Sequence, residues 1–176
     1  MIKQQKNRFK YKRYIGIDPD SKNSGVAILS MFDEKDEEGN VAQIELLTLD
    51  FHTVEGIIRL LANNEKDSVV AIEKCWATTA NWHLPKVCSP NMAAKIGLNT
   101  GKCHMVGMLF EEFCKNNKFD HILVEPLKKI WGPSRNNKIS HNELMQVLRS
   151  MHVRYIGGAR TNQEERDAAL IALTRQ

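Results

Sequence analysis

The chain has 176 residues, 42% of them hydrophobic, which suits one domain with a buried core and leaves little length for a second. Its four cysteines (Cys75, Cys88, Cys103 and Cys114) show neither CxxC pairing nor regular spacing. That argues against a disulfide framework or a zinc knuckle, and for free thiols in a reducing, cytoplasmic setting. No apolar run is long enough to cross a bilayer, and Met1 leads into polar and charged residues rather than a signal peptide's apolar stretch, so no membrane partner is expected.

The net charge of +4 is unevenly spread. Residues 1–13 form a basic tail carrying Lys3, Lys6, Arg8, Lys10, Lys12 and Arg13 without an acid. Such a tail suits phosphate contact, although a solvated terminus has the same composition. Residues 14–176 are read as a single domain. Residues 14–18 make a short apolar strand, residues 25–32 a second running back from it, and residues 41–51 a third, together an antiparallel meander. The acidic stretch 33–38, ending at Gly39-Asn40, is a polar hairpin tip. Thr53 is expected to cap a helix carrying Ile57, Ile58, Leu60 and Leu61. Residues 68–73, SVVAIE, read as a strand buried on both faces.

Residues 76–90 are irregular. A long helix over 91–116 follows, with Gly97 and Gly101 spaced for close packing. Residues 121–125 give a fifth strand, stopped by Pro126. Segment 128–138 is basic and loop-like. Ser140 opens a helix with Glu143 completing a capping box. Residues 153–156 make a short extended piece, and Thr161 is expected to cap the last helix. The fold class expected is α/β, a five-stranded mixed sheet flanked by helices.

Carboxylates at buried strand ends are costly unless something requires their charge. Asp18 closes the first strand and Glu73 the fourth, while Glu164 and Asp167, three apart, share one face of the last helix. Each has a local alternative: Asp18 as a turn starter before Pro19, Glu73 as an exposed strand end, Glu164 as the partner of Thr161 in a capping box, Asp167 as a surface charge. If the strands are neighbours and the helix crosses their ends, all four converge. A divalent cation would then offset their repulsion. Oxygen-only ligation favours magnesium, with manganese as a substitute, and two such ions about 3.5–4 Å apart promote phosphodiester hydrolysis.

Gly16-Ile17-Asp18-Pro19-Asp20-Ser21, with Gly25 following, resembles the first motif of RuvC-type Holliday junction resolvases, a ribonuclease-H-like family. Ala71-Ile72-Glu73 with Trp76 is similar to their second motif, Lys95-Ile96-Gly97 and Gly101 to their long dimer-forming helix, and Glu164 with Arg166-Asp167-Ala168-Ala169 to their last. Asp20 stands where the family usually has glycine, and Glu164 is longer than its usual aspartate or histidine. The resemblance covers nearly the whole chain. It implies a ribonuclease-H-like fold, a homodimer, magnesium dependence, and paired nicks in four-way DNA junctions by Asp18, Glu73, Glu164 and Asp167. It further implies that Trp76 stacks at an opened junction and that Lys129 and Lys138 lie near the scissile phosphate. Trp76 sits in a non-periodic loop and is not expected to be committed to the core. Lys128, Lys129, Arg135 and Lys138 flank Trp131, a mixture that suits nucleic acid.

Other targets on the same fold stay open from the motifs alone: forks, flaps, structured RNA and RNA–DNA hybrids. Sugar kinases and actin-like ATPases also open with a strand ending in aspartate, but they need two such domains. A non-catalytic junction binder would be expected to lack an acid, and none is missing.

Overall fold

The computed structural model describes residues 10–64, 67–77, 88–127 and 138–174. Three antiparallel strands open the fold: β1 (Arg13–Asp18), β2 (Ser24–Met31) and β3 (Ala42–Leu49). Helix α1 (Phe51–Asn64), β4 (Ser68–Glu73), a single 3₁₀ turn (Cys75–Ala77), α2 (Pro90–Asn117) and β5 (His121–Val124) follow. The described chain ends with α3 (His141–Ser150), β6 (Val153–Ile156) and α4 (Gln163–Leu173). The sheet order is β5-β4-β1-β2-β3-β6, with β4 parallel to both β1 and β5, and β6 parallel to β3. The expected α/β class, a mixed sheet flanked by helices, holds. The sheet has six strands rather than five, because residues 153–156 pair with residues 42–45 of β3.

Strand alternation sorts the core into two layers. Ile15 and Ile17 of β1, Val26 of β2, and Val70 and Ile72 of β4 pack against Val54 and Ile58 of α1 and Phe110, Phe113 and Cys114 of α2. Tyr14, Ala27, Leu29 and Val69 point the other way, onto Leu144 and Leu148 of α3 and Ala168, Ala169, Ala172 and Leu173 of α4. Helix α4 lies close on the sheet because two glycines admit it. A Cβ on Gly16 would meet the Ala168 carbonyl oxygen, and one on Gly25 the carbonyl oxygen of Glu164.

Helix caps depart from expectation at two of four starts. Asp50, not Thr53, caps α1: its Oδ1 accepts from the backbone N–H groups of His52 and Thr53, each at 3.1 Å, and Thr53 donates its hydroxyl to Oδ2. Aspartate reaches two orphan amides where Thr53, already inside the helix, reaches none. At α4 the capping box is Asn162 with Glu165, not Thr161 with Glu164. Glu164 is thereby released from a capping role. Ser140 and Glu143 form the box expected at α3, and Ser89 caps α2 ahead of Pro90 at its first turn.

Only the last third of α2 is buried, at Gly107, Phe110, Phe113 and Cys114. Met92, Leu98, Met105, Met108 and Leu109 are exposed, and among the described residues nothing beyond the helix's own adjacent backbone lies within 4 Å of a Cβ built on Gly97 or Gly101. Close packing within the chain occurs instead at Gly107, where a Cβ would come 2.6 Å from the Trp76 ring. Trp76 is half-buried and packs with the α1–α2 layer of the core, so it is committed to the core after all. Trp76→Ala is therefore expected to lower unfolding free energy by about 1–3 kcal/mol, below the full cost of a buried tryptophan because part of the ring is solvated. Urea denaturation measures it; an unchanged midpoint would show that the ring contributes no packing. No helix among the described residues is long and apolar enough to cross a membrane.

Candidate active site

The acids meet because of strand parity. Asp18 follows Ile17 on the face of β1 that carries Gly16, and Glu73 follows Ile72 on the face of β4 that carries Ala71. These are the α4 faces. Ile17 and Ile72 are register partners in parallel strands, so Asp18 and Glu73 leave the sheet side by side at its C-terminal edge. Helix α4 crosses that edge and brings Glu164 and Asp167 down on them. Gly25, the register partner of Asp18, removes the side chain that would hold Glu164 away.

Asp18 is the electrostatic centre. Burial first, then the charges of Glu73, Asp167 and Glu164, push its carboxyl well above the usual carboxylate range, and a side-chain hydrogen bond with Glu164 adds to this. Carboxyl groups that meet this closely need a shared proton or a cation between them. Glu73 and Asp167 are held by donors from elsewhere in the chain. Glu73 Oε1 accepts from the backbone N–H of Leu127 at 3.0 Å. Asp167 Oδ1 accepts from Gln163 Nε2 at 2.7 Å, and Lys138 Nζ lies 3.5 Å from its Oδ2. With the carboxylates drawn to these donors, no group of three histidine, cysteine or acidic side chains among the described residues is arranged to hold a metal ion. The donor chemistry fits a hard divalent cation; the side-chain arrangement would have to tighten to bind one.

Of the other expected site residues, Lys138 stands beside Asp167, while Lys129 and Trp131 lie outside the described residues. Trp76 and Pro19 both lie against Gly107, which puts the indole on the α2 side of the sheet edge, opposite α4. Asp20 adopts an ordinary backbone conformation, since the only non-glycine positive φ angles among the described residues are at Lys118 and His152. Its carboxylate closes the loop by accepting from the Lys22 N–H at 2.9 Å, and its own N–H donates to Ser24 Oγ at 3.2 Å. Residues that sequence reasoning assigned no role are Gln163 and Arg166. Gln163 is signalled only by its place four residues before Asp167, a spacing at which helical side chains meet.

Cys75 and Cys103 adjoin the acids without joining them. Cys75 donates its thiol to the Cys103 carbonyl at 3.8 Å, and Cys103 donates to Asp20 Oδ2 at 3.6 Å. Burial, then the Glu73 charge, pushes the Cys75 thiol up to about 12; burial, then Glu111, does the same for Cys114. Against the ordinary value of 9.0, the thiolate fraction of each at pH 8 falls about a thousandfold. In the native protein both are expected to resist a disulfide reagent that labels all four cysteines after denaturation. Rapid native labelling of Cys75, located by peptide mapping, would contradict its environment.

No family model matches the chain, and no curated protein does. Solved structures similar to it include Thermus thermophilus RuvC in complex with a Holliday junction substrate, at 11% identity and a TM-score of 0.49, covering 93% of this chain and 92% of that one. The yeast mitochondrial Holliday junction resolvase Ydc2 is 14% identical with a TM-score of 0.49, over 93% of this chain and 77% of that one. The fowlpox virus resolvase, solved with Holliday junction DNA, is 16% identical with a TM-score of 0.42, over 92% and 95%.

Proposed function

We propose that the chain is a divalent-metal-dependent endonuclease that resolves four-way DNA junctions by paired hydrolytic nicks. The observation that carries this reading is the convergence on Asp18 of Glu73, from the neighbouring strand, and of Glu164 and Asp167, from the crossing helix. A cluster that raises the pKa of its own central acid costs stability, and a hard cation would repay it. Asp18, Glu73, Glu164 and Asp167 would hold magnesium or manganese. The bound ions would supply an activated water and neutralise charge on the scissile phosphate. Lys138, beside Asp167, would orient that phosphate, with Lys129 as a further contact. Trp76 would present the solvated part of its ring to bases at the crossover. The motifs from Gly16-Ile17-Asp18 to Arg166-Asp167-Ala168-Ala169 resemble those of junction resolvases, and the choice among junction, fork, flap and hybrid falls to the substrate panel below.

Paired nicks require two sites, hence a dimer. Exposed Met92, Leu98, Met105, Met108 and Leu109, with open Gly97 and Gly101, make α2 the face proposed for a two-fold interface. Light scattering at micromolar concentration is expected to report a dimer of the 20.1 kDa chain, and Leu98→Glu with Met105→Glu to shift it to monomer. A wild-type monomer, with or without junction DNA, would contradict the interface.

The reading is tested by incubating the protein in magnesium with labelled four-way junction, fork, flap, duplex and RNA–DNA hybrid. Preferential cleavage of the junction is expected. Equal or better cleavage of hybrid or flap would move the assignment to another target of the same chemistry, and no cleavage of any substrate would remove it.

A further inference from the structure

Arg166 is unusual among the charged residues of this site in what it touches. Its guanidinium has donors only. Nε donates to the Ile139 carbonyl at 2.8 Å, one terminal nitrogen to the carbonyl and hydroxyl of Thr161, and the other to Gln163 Oε1 at 3.0 Å. All these acceptors are neutral, so this grip does not serve to neutralise an acid. It fixes directions instead. With Oε1 of Gln163 claimed by a donor-only group, the amide nitrogen must face the other way, and it donates to Asp167 Oδ1 at 2.7 Å. Lys138 approaches Oδ2 from the segment before α3. The Asp167 carboxylate is thereby gripped at both oxygens, and each oxygen keeps a lone pair for a further ligand.

We propose that Gln163, its amide oriented by Arg166, is a positioning residue that holds the Asp167 carboxylate in register for the divalent-metal site. This rests on the metal-dependent reading above. Gln163 is half-buried at the first position of α4, and its side-chain hydrogen bonds among the described residues stay within that helix, to Arg166 and Asp167. Arg166 differs, since it also ties the entries of α3 and α4 together through Ile139 and Thr161. Groups behind a metal ligand typically govern metal affinity by about 10- to 100-fold when removed.

The test is manganese binding by the full chain, followed by the electron paramagnetic resonance signal of free Mn²⁺, alongside the metal-free melting temperature. Gln163→Met keeps the side-chain length and deletes both hydrogen bonds. It is expected to weaken Mn²⁺ binding by about 10- to 100-fold while the metal-free melting temperature moves by no more than about 2 °C, as for a surface change. Arg166→Met is expected to lower both. Adding Gln163→Met to it should cost far less affinity than in the wild type, because the amide is already unoriented. Should Arg166→Met fail to fold, Gln163→Met alone decides. Wild-type affinity in Gln163→Met, or additive losses in the double variant, would overturn the positioning role while leaving the metal site standing. Absence of Mn²⁺ binding by the wild type would overturn the metal reading and this proposal together.

Discussion

Asp18→Asn is expected to abolish junction cleavage, by three orders of magnitude or about 4 kcal/mol of activation free energy, while junction binding persists. The same substitution is expected to raise the melting temperature of the metal-free protein at neutral pH. The sign follows from linkage. The folded protein raises the Asp18 pKa above its ordinary 3.8, so the folded state holds the proton more tightly than the unfolded chain. Stability therefore falls as pH rises from near 4 through the folded value, and the full penalty is present above it. Asparagine carries no such penalty, so the variant's advantage should be present at pH 7 and vanish below pH 4. Magnesium should reverse the order, because it stabilises the wild type by binding the folded state. Calorimetric scans of both proteins at two pH values, with and without magnesium, check these three stability outcomes. A metal-free variant that melts below the wild type at pH 7 would contradict the electrostatic account of Asp18.

Gly25→Val should do comparable damage from the other side of the site. A Cβ at position 25 would run into the backbone of Glu164, and backbone cannot rotate away as a side-chain tip can. Valine must therefore lift the start of α4 from β2, overpacking worth about 1–3 kcal/mol or more. The lift carries Glu164 and Asp167 with it, and a displacement near 1 Å in a reacting site is worth about a hundredfold in rate. Cleavage and metal affinity should fall together. Gly56→Ala is the matched control: position 56 is exposed on α1 with open space at its Cβ, and alanine there should stabilise by up to about 1 kcal/mol. Should Gly25→Val keep wild-type stability and metal affinity, the close approach of α4 to β2 is not what sets the acids.

Much of this arrangement was legible in the sequence because strands and helices impose simple periods. YIGID and VVAIE each end an apolar run on an acid, and parity then puts Asp18 and Glu73 on one face once their strands are neighbours. The meander, the Ser140–Glu143 box and the order of elements follow from similar local chemistry. What escaped is what depends on tertiary contact. Residues 153–156 are too short to declare themselves a strand, and only pairing with β3 makes them the sixth. Thr161 and Asn162 are both good caps, and the choice fell to Asn162 because Thr161 is buried, accepting from Arg166 and bonded to His141. Gly97 and Gly101 looked like packing positions, yet among the described residues the α2 glycine in close contact is Gly107, chosen by where the Trp76 ring falls. The role of Arg166 was invisible because its acceptors lie before α3, before α4 and within α4, and that of Gln163 because it depends on Arg166 orienting its amide.

The most direct test of the whole account is digestion of a supercoiled plasmid bearing an extruded cruciform, a four-way junction within one closed molecule. Two nicks in one binding event give linear DNA; independent nicks give an open circle first. The wild-type protein in magnesium should convert the cruciform plasmid to linear product, leave the same plasmid without the cruciform intact, and do nothing in the presence of a chelator or as Asp18→Asn. Cleavage that persists in chelator, or cruciform and plain plasmid cut alike, would contradict a metal-dependent junction nuclease built on Asp18, Glu73, Glu164 and Asp167.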